Sequence, residues 1–305
     1  MKKYTSQEIK EFVSKPLFDE KTILNKAPSY TKISIVTPSY NQGQFLERTI
    51  LSVLNQNYPN LEYIVIDGGS SDNSIEIVKK YEKYIDYWIS EKDKGQSDAL
   101  NKGFKKASGD IFFYLASDDV LLPEVLKKVA IIFKNEDVDY LYGNRLIIDA
   151  EDNIISERRC VRYIPFLTKL GMLTSGSFAS YPDSSFYRKS FYDHIGGFDI
   201  TLHNTMDTDF VLKAMSLSKK IKFLREYIIG FRVTPSSKTV AYWNDIRKKE
   251  NEALKRKYLK TNFLKIFGAL LFLLNGFLFI FQGDLDYIVK RFLKEKRKKY
   301  YEYLK

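Results

Sequence analysis

The feature that most constrains this chain is an alternation of short apolar runs, each closed by polar turn residues, with longer stretches of helical spacing between them. Lys32 to Thr37 and Leu61 to Asp67 are β-branched and apolar and are bounded by Pro, Gly, Ser and Asp, which predicts buried strands. Between them Phe45, Leu46, Thr49, Ile50, Val53 and Leu54 recur at helical spacing, as do Ile75, Ile77, Val78 and Tyr81 after the second run. Tyr87 to Ser90 and Asp110 to Leu115 continue the series, with a helix expected from about Ser97 to Lys106. Strand and helix in alternation predict an α/β fold whose doubly wound sheet is covered on both faces.

Ligands of such sheets bind beyond the carboxyl ends of the strands. Three predicted strands end in polar clusters there: Thr37-Pro38-Ser39-Tyr40-Asn41, Asp67-Gly68-Gly69-Ser70-Ser71-Asp72 and Ser117-Asp118-Asp119. Together they point to a nucleotide-and-metal site more strongly than any one alone. Adjacent carboxylates repel, and a bound Mg2+ or Mn2+ relieves that repulsion while bridging phosphate oxygens. Each cluster also has a local explanation. Thr-Pro is a common turn, the Asp67–Asp72 stretch leads to an N-cap at Asp72, and the alternative for Ser117–Asp119, the sharper signal, is a solvated turn before a helix begun by Pro123-Glu124.

The stretches ISIVTPSYNQGQFLERTILSVLNQNYPNLEYIVIDGGSSDNS, EKDKGQSDALNKGFKKASGDIFFYLASDDVLLP and YPDSSFYRKSFYDHIGGFDITLHNTMDTDFVLKA resemble, in order and spacing, the family 2 glycosyltransferases of GT-A fold. The resemblance covers roughly residues 32 to 235. It implies a GT-A (nucleotide-diphospho-sugar transferase) doubly wound mixed sheet, and sugar transfer from a nucleotide-sugar with inversion, assisted by a divalent cation, Mn2+ or Mg2+. It puts Thr37, Pro38 and Tyr40 on the walls of the base pocket and has Asp67 accept a hydrogen bond from the base. Asp93, Lys94 and Asn101 then lie against the donor, in a segment that opens a helix with free N–H groups suited to anions; capping by Ser97 is the local alternative. Asp119 becomes the direct metal ligand, with Asp118 supporting it or binding the donor ribose.

A single displacement needs a base on the acceptor side, and the resemblance assigns it to Asp207 in Met206-Asp207-Thr208-Asp209-Phe210. The local alternative is a first-turn acid in a helix capped by Asn204. Ile195-Gly196-Gly197-Phe198-Asp199 resembles the loop beneath donor sugar and acceptor, which makes Gly196 and Gly197 acceptor-side candidates, with His203 beside the proposed base as another. The chain departs from the family pattern at Gly68, where a second Asp is frequent, at Ala116, where Asn or Asp is common, at Met206 in place of an acid, and at Lys213 in place of Arg.

Other chemistries are poorly supplied. His194 and His203 lack metal-ligand spacing, and a single Cys160 excludes an internal disulfide and a zinc-thiolate cluster. The net charge of +11 suggests nucleic acid until it is located: from Ile246 to Lys305 there are sixteen Lys and Arg against six Asp and Glu, so the catalytic part is near neutral. No nucleic-acid partner is expected. Basic clusters flank an apolar run from Phe263 to Phe281, interrupted by Lys265 and Asn275, which suits a helix lying in an anionic membrane surface better than a span. Tyr287, Ile288, Phe292, Tyr300, Tyr301 and Tyr303 would extend that surface; packing on the catalytic domain or in a homodimer is the alternative.

The expected organisation is an N-terminal helical or irregular segment (1–29), a catalytic domain (30–238, with a nucleotide half 30–120 and an acceptor half 121–238) and a basic helical C-terminal extension (239–305). The first 29 residues are polar and mixed, without the apolar core of a signal peptide, which predicts a cytoplasmic enzyme peripheral on the inner face of the cell membrane. The expected acceptor is a saccharide or lipid-linked saccharide in bacterial surface-polysaccharide assembly. A nucleotidyltransferase and a noncatalytic nucleotide- or membrane-binding relative are the alternatives.

Overall fold

The computed structural model of the protein describes residues 1–162, 181–235, 237, 245–258 and 277–294. Four parallel strands form its first half: β1 (Ile33–Ser39), β2 (Leu61–Asp67), β3 (Tyr87–Ser90) and β4 (Ile111–Tyr114), in the spatial order β3-β2-β1-β4. Because successive side chains point to opposite faces, β1 serves two cores at once. Ile33 and Ile35 pack with α3 (Gly43–Leu54) and α4 (Ser74–Tyr81), while Val36 packs with α5 (Gln96–Lys106). The doubly wound half is therefore as its sequence predicts, with both β1 and β2 buried along their whole length.

The second half turns the sheet mixed. β8 (Ser185–Arg188) runs antiparallel between β4 and the first part of β6 (Tyr140–Ile148), and β7 (Ile154–Arg158) pairs antiparallel with the rest of β6. β9 (Ile221–Arg232) lies parallel to β6 and carries the two-residue β5 (Val120–Leu121) on its far edge, with Val120 opposite Gly230. That pairing brings the turn after β4 against the end of β9. Helices α6 (Val125–Asn135), α7 (Lys189–Ile195) and α8 (Met206–Leu217) complete the layers. Beneath α8, Phe104 stacks on Phe112 at 4.9 Å and Phe198 on Phe210 at 4.5 Å, contacts worth about 1 kcal/mol each beyond area burial. They fix where the first turn of α8 sits.

The N-terminal segment and the described part of the C-terminal region join this body. In the N-terminal segment, α1 (Ser6–Ser14) and α2 (Glu20–Leu24) bury Ile9, Val13 and Ile23 in the core shared with α3. Asn55, at the end of α3, accepts from the Leu17 N–H at 2.7 Å and donates to the carbonyls of Phe12 and Lys15. Toward the C-terminus, α9 (Asp245–Tyr258) is followed by a hairpin of a helical turn (277–281) and α10 (Leu285–Lys294). Asp284 at its bend is 2 % exposed and lies 2.7 Å from both Arg159 and Arg225, while Phe279 and Tyr287 pack with Val161.

Tyr287 thus departs from its expected interfacial role. Its ring lies tilted at 5.1 Å from Phe279, under the Arg159 guanidinium, because a carboxyl group such as Asp284 is buried at low cost only with its two arginines and the bend must follow it inward. The opposite face leaves Phe277, Ile280, Phe281, Leu285 and Val289 exposed, Phe281 at 86 %. Residues 263–276, the Lys296–Lys299 cluster, the Phe292 side chain and Tyr300, Tyr301 and Tyr303 lie outside the described residues.

Candidate active site

The Ser117–Asp119 turn is clamped from two sides. Below it, the Thr49 hydroxyl of α3 lies 2.9 Å from the Ser117 carbonyl and 2.7 Å from that of Asp119. From the side, the Arg232 backbone N–H donates to Asp119 Oδ1 at 2.8 Å, and its guanidinium donates to the carbonyls of Asp118 at 2.7 Å and Asp149 at 2.6 Å. Arg232 is buried, and its charge is met by Asp152, which also receives Arg48. No local signal in the sequence announced Arg232 beyond a charge closing the apolar run Ile228–Phe231; such a charge must be paired if the run is a buried strand.

The clamp holds acids in a crowded place. Burial first, then the neighbouring Asp118 and Asp183, push the Asp119 carboxyl well above its ordinary range, against the pull of Arg232 and Arg145. Burial also raises Asp118. Among the described residues no three His, Cys, Asp or Glu side chains converge as a metal cage. The donor set nonetheless fits a hard cation, because Mg2+ and Mn2+ sites next to phosphates use one or two carboxylates and fill the remaining positions with phosphate oxygens and water. Asp119, with Asp118 beside it, would hold the ion.

Asp183 is the acid that sequence reading missed. It lies in a short 3-10 turn, Pro182–Ser184, tied down by the Ser184 hydroxyl on the Gly143 carbonyl at 3.1 Å. One carboxylate oxygen takes an ion pair from Arg145, whose guanidinium is sandwiched between the Tyr181 and Phe231 rings at 3.9 and 4.2 Å. The other oxygen is buried and has no partner among the described residues. Burial raises Asp183, Arg145 opposes that, and Asp207 adds to it, so Asp183 is within electrostatic reach of both Asp119 and Asp207. The available signal was Arg145 itself, a charge inside the apolar strand YLYGNRLII that requires an acid nearby.

Asp207 occupies the first turn of α8. Its Oδ1 accepts the Thr208 N–H at 2.6 Å, and Oδ2 has no hydrogen-bond partner among the described residues. The other acid of the motif is engaged: Asp209, fully buried, is paired with Lys213 at 3.0 Å and Lys257 at 2.8 Å and accepts from Tyr258. Thr205, not Asn204, stands at the N-cap position. Its loop is gripped by Glu250 of α9, whose carboxylate accepts the N–H groups of His203 and Asn204, both at 2.9 Å. His203 is exposed and faces Gly95 at the start of α5.

On the nucleotide side, Thr37 and Pro38 are buried at the end of β1, and Thr37 meets the Tyr63 hydroxyl at 3.1 Å; Tyr40 is 63 % exposed beyond them. Asp67, expected on the base, is buried at the end of β2. Its Oδ2 accepts from the Gly69 and Ser70 N–H groups and the Ser90 hydroxyl, while Oδ1 accepts only the Ser70 hydroxyl and keeps an acceptor site. Asp93 accepts the Gly95 N–H at 2.7 Å, and Lys94 is exposed. Ser97 does not cap its own helix; its hydroxyl crosses to Met206 Sδ at 2.7 Å, joining the starts of α5 and α8.

Asn101, Gly196 and Gly197 do come together, in a cleft of about 390 Å³ also lined by Tyr192 and Asp193, but Asp118, Asp119 and Asp207 are not on its walls. The Asn101 amide holds the loop, donating to the Phe198 carbonyl at 2.8 Å while accepting from the Phe198 N–H and the Tyr192 hydroxyl, both at 2.9 Å. A side chain at Gly197, where φ is +76°, would put its Cβ 2.7 Å from Asn101 Oδ1.

The family model of glycosyl transferase family 2 matches residues 34–196. The chain belongs to glycosyl transferase family 2. It is 34 % identical over 185 residues to an uncharacterized glycosyltransferase of Mycobacterium tuberculosis, covering 60 % of this chain and 68 % of that one. It is 35 % identical over 119 residues to the Escherichia coli UDP-Glc:alpha-D-GlcNAc-diphosphoundecaprenol beta-1,3-glucosyltransferase WfgD, covering 38 % of this chain and 47 % of WfgD. The fold is that of S. aureus TarS 1-349 in complex with UDP-GlcNAc (TM-score 0.57, 19 % identity, 70 % of this chain and 62 % of TarS). It is equally that of the mannosyltransferase PcManGT of Pyrobaculum calidifontis with GDP-Man and Mn2+ (0.55, 16 %, 87 % and 74 %). As a family 2 glycosyltransferase of GT-A fold the protein is an enzyme, and the nucleotidyltransferase alternative falls away.

Proposed function

We propose that this glycosyltransferase acts with inversion, taking a sugar from a UDP-linked donor and giving it to a saccharide or lipid-linked saccharide of a bacterial surface polysaccharide. The observation that carries the reading is a division among the acids. Asp118 and Asp119 sit in a turn clamped by Arg232 and Thr49, while Asp207, in the first turn of α8, keeps a carboxylate oxygen without a partner among the described residues. A single displacement needs charge relief at the departing diphosphate and a base at the attacking hydroxyl, and acids separated in this way serve both. A divalent cation at Asp119 would supply the first. Arg232 and Thr49 keep the turn from shifting as charge builds, and Asp207 Oδ2 takes the proton. The UDP choice leans on TarS, solved with UDP and UDP-GlcNAc, and on WfgD, named for UDP-Glc and a diphosphoundecaprenol-linked acceptor.

Calorimetry with UDP and GDP, with and without Mn2+, tests the nucleotide half of this reading. Micromolar binding of UDP, tightened by Mn2+, is expected; binding of neither nucleotide overturns it.

The same reading keeps the enzyme on an anionic membrane surface. No helix among the described residues is long and apolar enough to cross a membrane. The exposed Phe277, Ile280, Phe281, Leu285 and Val289 next to a basic terminal stretch support peripheral docking instead. Co-sedimentation of the full chain with anionic vesicles should fall steeply with salt and be weakened by Phe281→Glu with Leu285→Glu. Equal binding by both forms removes the anchor, and salt-independent self-association lost in the variant points to a homodimer through these helices.

A further inference from the structure

We infer that Asp183 is a donor-sugar contact, accepting a hydrogen bond from a ring hydroxyl of the transferred sugar through its unpartnered carboxylate oxygen. The inference rests on the glycosyltransferase reading above and specifies one part of it. In a single displacement the sugar lies between the departing diphosphate, at Asp118–Asp119, and the attacking hydroxyl, at Asp207. Asp183 is close to both, since it interacts electrostatically with Asp119 and with Asp207, and the Pro182–Ser184 turn packs against α8 and β9. A buried group within reach of both the leaving site and the base is suited to meet the sugar itself rather than the nucleotide.

Its chemistry suits a hydroxyl. One oxygen is held by Arg145, and that guanidinium is locked between Tyr181 and Phe231, so the carboxylate cannot swing away. The other oxygen is a buried acceptor that no described residue satisfies. Leaving such an acceptor unpaired costs more than making the bond gains, so the site favours a ligand carrying a donor at that point and rejects one lacking it. A second cation ligand is a poorer assignment, because the Arg145 guanidinium already occupies the cation's place beside this carboxylate.

The test measures the sugar's share of affinity. UDP-glucose, UDP-GlcNAc, UDP-galactose and GDP-mannose are each compared by calorimetry with their own free diphosphate, using the full chain, wild type and Asp183→Asn. At least one sugar nucleotide should bind wild type more tightly than its diphosphate, and Asp183→Asn should erase that increment, roughly ten- to hundredfold, while UDP and GDP affinities stay within about twofold. A deoxy analogue of the preferred sugar should lose the same factor in wild type and nothing further in Asp183→Asn. If the Asn variant does not fold, Asp183→Glu, which keeps a carboxylate for Arg145 and displaces the free oxygen, should show the same selective loss.

Several results overturn the inference: no sugar increment in wild type, an increment that survives substitution, diphosphate and sugar nucleotide weakened together, or a changed Mn2+ dependence of UDP binding. Failure of UDP and GDP to bind at all strikes the glycosyltransferase reading itself, whereas intact diphosphate binding with an unaltered increment removes only Asp183.

Discussion

The two ends of the parallel strands treat buried acids in opposite ways. At the amino end Glu62 is surrounded by donors: Lys32 at 2.7 Å, the Ser108 N–H at 2.7 Å, and the hydroxyls of Ser108 and Ser34 at 2.6 and 2.5 Å. Burial opposes ionisation there, but these donors prevail and bring Glu62 down to about 2. At the carboxyl end, Asp119 and Asp183 are buried and Asp118 is half-buried, all with too few donors, and all three are raised. An acid whose acceptors are filled by the protein builds the fold; an acid left short is waiting for something else to fill them. Asp67, also at the carboxyl end, is intermediate: three donors from its loop and one from the end of β3 reach it, but three of the four fall on Oδ2 and Oδ1 keeps an acceptor site.

Substitutions can break this contrast. The largest effect belongs to Asp207→Asn, which should lower transfer by about two to four orders of magnitude, the worth of a general base, while nucleotide affinity is kept. Unchanged turnover at saturating acceptor would remove Asp207 from the chemistry. Next, Asp119→Asn should weaken Mn2+-dependent nucleotide binding about ten- to hundredfold and yet leave the free protein as stable as wild type or more so, because it removes a crowded charge. Chemical denaturation without ligand checks the second half, and a clear loss of stability would mean that Asp119 is structural. Glu62→Gln should do the reverse, costing about 2 kcal/mol of stability while leaving nucleotide affinity in the folded fraction unchanged.

The smallest effect is in the pH profile of the free protein. Glu62 has a depressed folded pKa, so its stabilisation is complete above the unfolded value of about 4.3 and is lost as pH falls toward about 2. Asp118, Asp119 and Asp183 are raised, so the folded state binds their protons more readily than the unfolded one and their cost at neutral pH shrinks on acidification. Urea midpoints should therefore hold or rise from pH 7 to about 5 and drop below about 4. Asp119→Asn should flatten the first limb and Glu62→Gln the second; identical profiles in all three proteins would void the contrast.

How far the site could be read from sequence follows the same geography. β1, β2 and β4 were legible because each is a continuous apolar run with its polar turn attached, so Asp118, Asp119, Asp67 and Tyr40 were placed by local pattern alone. Asp183 was not, since its position depends on β8 inserting antiparallel between β4 and β6, a pairing that no periodicity encodes. Arg232 is similar: it reaches Asp119 only because β5 pairs with β9 across more than a hundred residues of chain. At the N-terminus, Ile9, Val13 and Ile23 were too few among polar neighbours to announce that they reach the main core.

Gly68 has a consequence for the order in which such a site can change. A Cβ there would stand 2.8 Å from an oxygen of Asp93, so Asp93 lodges in the space that the missing side chain leaves. The acid that the resemblance leads one to expect at this position would therefore meet a like charge and oblige the Asp93 carboxylate to turn aside. Change at 68 is thus tied to position 93, whose carboxylate must turn away or be replaced for a second acid to be accommodated.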